Sequence, residues 1–149
     1  MLLSKSCVYG LRATLYLSAK QDEFISIREI SEELDISFHF LTKILQQLTA
    51  NGLMESYKGP NGGIRLSKLG RQATLLNMVI AIDGPELFTE CALGLTGCGS
   101  ETPCPLHESW VSTREAISSM LEGTTLEEIA KQGRISKFRI SEEGIFNWN

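Results

Sequence analysis

A chain of 149 residues, 42% hydrophobic and 21% charged, has the make-up of one ordinary domain or two small ones sharing an interface. No uncharged apolar run approaches a bilayer span, and the opening Met-Leu-Leu-Ser-Lys-Ser-Cys has no apolar stretch after its lysine. Neither membrane insertion nor secretion is therefore expected; a cytoplasmic protein is. The net charge of −4 is uneven, with nine Lys/Arg against seven Asp/Glu over residues 1–75 and five against eleven over 76–149.

Residues 4–20 predict a helix, with Ser4 as its cap and Val8, Leu11, Leu15 and Ala19 on one face. Ser26-Ile27-Arg28-Glu29 has the form of a capping box and opens a short second helix with Ile27, Ile30 and Leu34 inward. Ser37 is expected to cap a third helix, whose Leu41, Ile44, Leu45 and Leu48 follow the i, i+3, i+4, i+7 spacing until Asn51-Gly52 stops it. Two short helices joined by a tight turn make a helix-turn-helix. Residues 53–57 and 64–67 then predict a hairpin around Lys58-Gly59-Pro60-Asn61-Gly62-Gly63, its three glycines offering positive-φ positions. That order is the winged-helix order. Lys43, Lys58, Arg65, Lys68 and Arg71 face a single acid, Glu55, over 37–71, so a fold that gathers these cations offers a polyanion a surface.

Residues 70–88 predict a further helix until Asp83-Gly84-Pro85 breaks it. A small-residue loop over 89–104 follows. A long helix over 105–121 opens on proline and carries Trp110, Ile117, Met120 and Leu121 on its apolar face. Thr124 or Thr125 caps a short helix, and the tail beyond 131 shows no assignable pattern. The reading is a mainly α chain with a small β-wing, divided into a winged helix-turn-helix domain over 1–75, a cysteine loop and long helix over 76–130, and a tail over 131–149.

Cys91, Cys98 and Cys104 are spaced C-x6-C-x5-C, with His107 three residues on. A domain of this size in the cytosol does not need disulfide staples. Structural zinc usually shows a close cysteine pair, and the only comparable unit is Cys104-x-x-His107. A cysteine nucleophile needs a base and an oxyanion site, and the only other histidine, His39, falls on the third helix, so no enzyme is expected. An iron–sulfur cluster is wider than one ion and suits widely spaced cysteines. Gly94, Gly97 and Gly99 allow the chain to wrap it, and a helix N-terminus favours thiolates. Zinc and thiol chemistry stay open on spacing alone.

The wing Lys58-Gly59-Pro60-Asn61-Gly62-Gly63, the three cysteines, Cys104-x-x-His107-x-x-Trp110 and Thr124-Thr125-Leu126 together resemble the IscR-like iron–sulfur-sensing regulators of the Rrf-two family. The likeness runs from Leu3 to about Ala130. It departs in a first cysteine gap of six residues where five is usual, in Lys58 where Arg is common, and in Ile64 where an aromatic is common. The resemblance implies a homodimeric transcription regulator, with the long helix as dimer interface and a [2Fe–2S] cluster favoured over [4Fe–4S]. It implies metal ligation by Cys91, Cys98 and Cys104. His107 is preferred as fourth ligand over Cys7 of the partner subunit, for which a core position is the plainer reading. A Cys3His shell also raises the reduction potential relative to four thiolates. Base reading is expected from Ser37, Phe38, His39, Thr42 and Lys43, and backbone or minor-groove anchoring from Lys58, Gly59, Asn61 and Arg65 on operator DNA. The alternatives are a cluster-free thiol or zinc sensor and an electron-transfer protein.

Overall fold

The computed structural model describes residues 2–149. Helix α1 spans Lys5–Ala19, its first turn closed by Ser4, whose hydroxyl accepts from the Cys7 N–H at 3.0 Å. Helix α2 spans Ile27–Leu34 and ends on Asp35 in the left-handed region, a tight exit that delivers the chain to α3, Phe38–Ala50. The expected capping box on α2 is half made. Ser26 accepts from the Glu29 N–H, but the Glu29 carboxylate turns away to accept from the Tyr16 hydroxyl at 3.1 Å. Ser37 occupies the N-cap position of α3 without a side-chain cap bond. Leu41, Ile44, Leu45 and Leu48 are buried against Leu17, Ile30 and Leu34, as their spacing requires.

Strands β1, Met54–Tyr57, and β2, Gly63–Leu66, pair antiparallel from Met54 opposite Leu66 to Tyr57 opposite Gly63. Ile25 adds a single bridge to β2, exchanging backbone bonds of 2.9 and 2.8 Å with Ile64. Of the three wing glycines only Gly59 takes a positive φ, at 140°. Gly62 and Gly63 serve another need, because a Cβ on either would collide with the carbonyl of Tyr57 or of Ile25.

The helix expected over 70–88 is three helices: α4, Lys68–Gln72; α5, Leu75–Asp83; and α6, Glu86–Thr89. Ala73 and Thr74 are extended, and Thr74 with Asn77 forms a complete capping box that restarts the helix. Gly84, at φ 83°, closes α5. Helix α7, His107–Glu122, begins two residues after Pro105, which sits in a turn closed by the His107 N–H on the Cys104 carbonyl at 3.1 Å. Helix α8, Leu126–Ile135, is capped by Thr125 with Glu128.

Helix α1 is the hub, packing on α3, α5 and α8. The tail beyond α8 returns to it. Arg12 donates to the Ile140 and Leu34 carbonyls at 2.6 and 2.9 Å, Phe146 stacks on Tyr16 at 5.3 Å, and Trp148 lies against Gly133. A second, smaller core joins Cys7, Val79 and Leu121 with Phe88 and Ile117, and so fixes α7 to α1 and α5. No helix among the described residues is long and apolar enough to cross a membrane.

Candidate functional site

The cysteine segment leaves α6 at Glu90 and rejoins regular structure at α7. Local turns shape it: Gly94 N–H to the Cys91 carbonyl at 2.9 Å, and Thr102 hydroxyl to the Gly97 carbonyl at 2.9 Å. Gly94 and Gly97 take positive φ values of 68° and 74°. The result brings together what the sequence separates. The sulfurs of Cys91, Cys98 and Cys104 all lie within 4.8 Å of one another, Cys91 and Cys104 at 3.6 Å. His107, the first residue of α7, places Nδ1 3.5 Å from the Cys98 sulfur.

Cys91 and Cys98 are shifted in opposite directions. Backbone N–H groups of Leu95 and Leu93 bring the Cys91 thiol down to about 7. The Cys104 N–H acts the same way on Cys98, but desolvation and the neighbouring thiols of Cys91 and Cys104 outweigh it, so Cys98 is raised. Cys7 is the opposite case. Fully buried, it is pushed up to about 12 by desolvation and by the nearby Asp83 charge, and it lies outside the three-sulfur group.

The donor set fits a metal centre of thiophilic character. Three thiols converge beside the start of α7, the His107 imidazole stands outside that group against Cys98, and the backbone N–H groups of Leu93 and Cys104 approach the Cys91 and Cys98 sulfurs, both at 3.4 Å. Two anchors carried no sequence signal. The Glu90 carbonyl, adjacent to Cys91, accepts from the Trp110 indole at 2.8 Å and from Arg114 at 2.9 Å. Trp110, expected on an apolar face and in the Cys104-x-x-His107-x-x-Trp110 motif, gives its indole N–H to the cysteine segment. That face divides elsewhere too: Leu121 is buried and Ile117 packs inward, while Met120 is 69% exposed.

The candidate DNA surface lies on α3 and the wing. Ser37, His39 and Lys43 are exposed, as are Lys58, Gly59 and Asn61. Phe38 and Thr42 are half-buried. The Phe38 ring lies under the Arg28 guanidinium at 4.8 Å, and the Thr42 hydroxyl donates to the Phe38 carbonyl at 2.7 Å. Arg28 therefore joins the start of α3, a position that spacing along α2 alone did not mark. Arg65 is engaged within the chain, to Glu55 at 3.1 Å, to the Asp22 carbonyl at 2.9 Å and over the Phe24 ring at 4.2 Å. Gln47 ties the far end of α3 to α5, donating to the Ala81 and Ile82 carbonyls at 2.8 and 3.2 Å.

Against known proteins, residues 3–132 match the family described as Rrf2, iron-dependent transcriptional regulator. The chain is 32% identical over 130 residues to the HTH-type transcriptional regulator IscR of Yersinia pseudotuberculosis, covering 87% of this chain and 79% of that protein. Among solved structures it resembles CymR (YrzC), the global cysteine regulator of B. subtilis, with a TM-score of 0.73 and 26% identity over 87% of this chain and 96% of that one. T. potens IscR shares the fold, with a TM-score of 0.71 at 20% identity over 92% and 91% of the two chains.

Proposed function

The chain belongs to the Rrf2 family of transcriptional regulators, and from that premise we propose that it is a cytoplasmic homodimer whose hold on operator DNA is set by an iron–sulfur cluster. The observation that carries this reading is the gathering of Cys91, Cys98 and Cys104 into one group beside His107. These four residues would hold the cluster, [2Fe–2S] rather than [4Fe–4S]. When bound, such a group supplies a reversible one-electron couple and an oxidatively labile centre.

The chain's own residues do the rest. Cys91, Cys98 and Cys104 close the segment between α6 and α7, and α7 rests through Leu121 and Ile117 on α1 and α5. Gln47 connects α5 to the recognition helix α3. A change in the order of the cysteine segment thereby reaches the spacing of two recognition helices, which a dimeric helix-turn-helix reads as half-site spacing. Ser37, Phe38, His39, Thr42 and Lys43 face base edges, with Lys58, Gly59 and Asn61 on the DNA backbone and minor groove. Arg65 serves that surface by holding the wing in place. Met120, exposed on α7, marks the dimer face, so Met120→Glu is expected to yield monomers by sedimentation while leaving the smaller core intact.

Anaerobic purification tests the reading. Bound iron and sulfide in equal amounts, a visible spectrum, and operator affinity that changes on cluster loss are the expected outcome. His107→Ala should lose or weaken the cluster and Cys7→Ser should leave its spectrum unaltered; the reverse pattern reassigns the fourth ligand. A second reading rests on the sulfur spacing itself. Four ligands at about 2.3 Å from one ion stand about 3.8 Å apart, and Cys91 and Cys104 are 3.6 Å apart. One zinc per chain, without sulfide, would establish a mononuclear Cys3His site instead.

A further inference from the structure

His107 has a rigid base as the first residue of a 16-residue helix, and Cys104 is tied to it by the turn that the His107 N–H closes on the Cys104 carbonyl at 3.1 Å. Cys91 does not. It follows α6, a four-residue helix with no buried residue, and must meet Cys104 across thirteen positions of sequence. What fixes Cys91 is the residue before it. The Glu90 carbonyl takes one hydrogen bond from the Trp110 indole and a second, charge-assisted one from Arg114. His107, Trp110 and Arg114 fall at i, i+3 and i+7, so a single stripe of α7 meets the segment at Cys98 and again beside Cys91.

We infer that Trp110 and Arg114 are positioning residues of the metal centre, holding Cys91 within ligating distance of Cys104 and so setting how tightly the centre retains its metal. The inference rests on the metal reading of the three cysteines but not on which metal they take. Ligands that are themselves held commonly gain ten- to a hundredfold in metal affinity from the groups holding them. A clamp on a main-chain carbonyl does this without approaching the sulfurs.

The test uses full-length chain loaded separately by anaerobic iron and sulfide reconstitution and by Co2+, whose absorption bands report tetrahedral thiolate ligation directly. Release of each metal to a chelator is then timed in wild type, Arg114→Ala, Arg114→Lys and Trp110→Phe. The last keeps the ring and removes only the N–H. Release is expected to quicken about tenfold or more in Arg114→Ala and Trp110→Phe. Arg114→Lys should restore part of the loss, with unchanged far-ultraviolet circular dichroism throughout. Variants that load and release as wild type does would overturn the clamp while leaving the metal centre standing. A wild-type chain that takes up neither iron–sulfide nor Co2+ would overturn the metal reading and this inference with it.

Discussion

Leu41, Leu45 and Leu48 on α3 are wholly buried, whereas between Cys91 and Cys104 only Cys104 is buried, and Leu93 and Leu95 are more than half exposed. Both segments are about the same length. Fixing a backbone costs roughly 1–2 kcal/mol per residue, and apolar burial is the main term that offsets it. Helix α3 meets that cost from its own leucines. The cysteine segment has a few turn bonds and the Glu90 clamp, and a shared metal ion would supply what burial does not, because binding a site absent from the unordered chain is itself ordering free energy. The cysteine segment lies at the poorly packed end of the molecule, where a ligand can decide the conformation; α3 lies at the well-packed end.

The sharpest way to break this comparison is to remove one leucine from each side of it. Leu45→Ala should cost about 2–5 kcal/mol of unfolding free energy, since Leu45 is fully enclosed. Leu95→Ala should fall within about 0.5 kcal/mol. Urea unfolding of both variants in the metal-free protein measures the difference; equal losses would mean that the cysteine segment has a core of its own.

The same contrast explains which features were legible in the sequence. Helices α1, α2 and α3 and the wing could be read because burial imprints a period, and Gly59, Gly62 and Gly63 mark the turn, although for two different reasons. The break at Ala73 was missed because the apolar pattern runs on through it, while the Thr74–Asn77 capping box that restarts the helix occupies only two polar positions. Pro105 marked the approach to α7 and not its first residue, since proline suits a turn as well as a helix start. The three cysteines and His107 were legible from count and spacing. Their anchor was not, because a main-chain carbonyl at Glu90 leaves no trace in residue type. Arg65 reads as a cation for DNA since two of its three partners, Asp22 and Phe24, lie some forty residues away and only Glu55 is near in sequence.

The tail sharpens the comparison from another side. Beyond α8 it has almost no regular structure, yet Ile140 and Trp148 are buried and Arg12 bonds the Ile140 carbonyl. Irregular backbone is therefore not what sets the cysteine segment apart; lack of burial is. Gly133 permits the docking, since a Cβ there would run into the Trp148 indole. Gly133→Ala should cost about 1–3 kcal/mol, the usual range for overpacking. In a Trp110→Phe background, the remaining Trp148 emission should shift to the red as the ring is displaced. Unchanged stability and emission would show that the tail is only loosely laid on α1.

The wing stands between the two extremes, exposed at its tip and held at its base, and it separates two kinds of cation. Lys58 is exposed at the tip, with no ion pair among the described residues. Arg65 is half-buried and bonded to Glu55, to the Asp22 carbonyl and to the Phe24 ring face. Lys58→Ala should leave stability within about 0.5 kcal/mol and reduce the salt slope of operator binding by about one, as loss of one phosphate contact does. Arg65→Ala should act first on the fold. An exposed ion pair contributes little, but the carbonyl bond and the ring contact bring the expected loss to about 1 kcal/mol. Any weakening of DNA binding should then follow from a loosened wing, with a salt slope closer to that of wild type. Thermal melts and affinities at three salt concentrations distinguish the two variants. If Arg65→Ala flattened the slope as Lys58→Ala does and left the melting temperature alone, Arg65 would be a direct phosphate contact and the wing would need no brace.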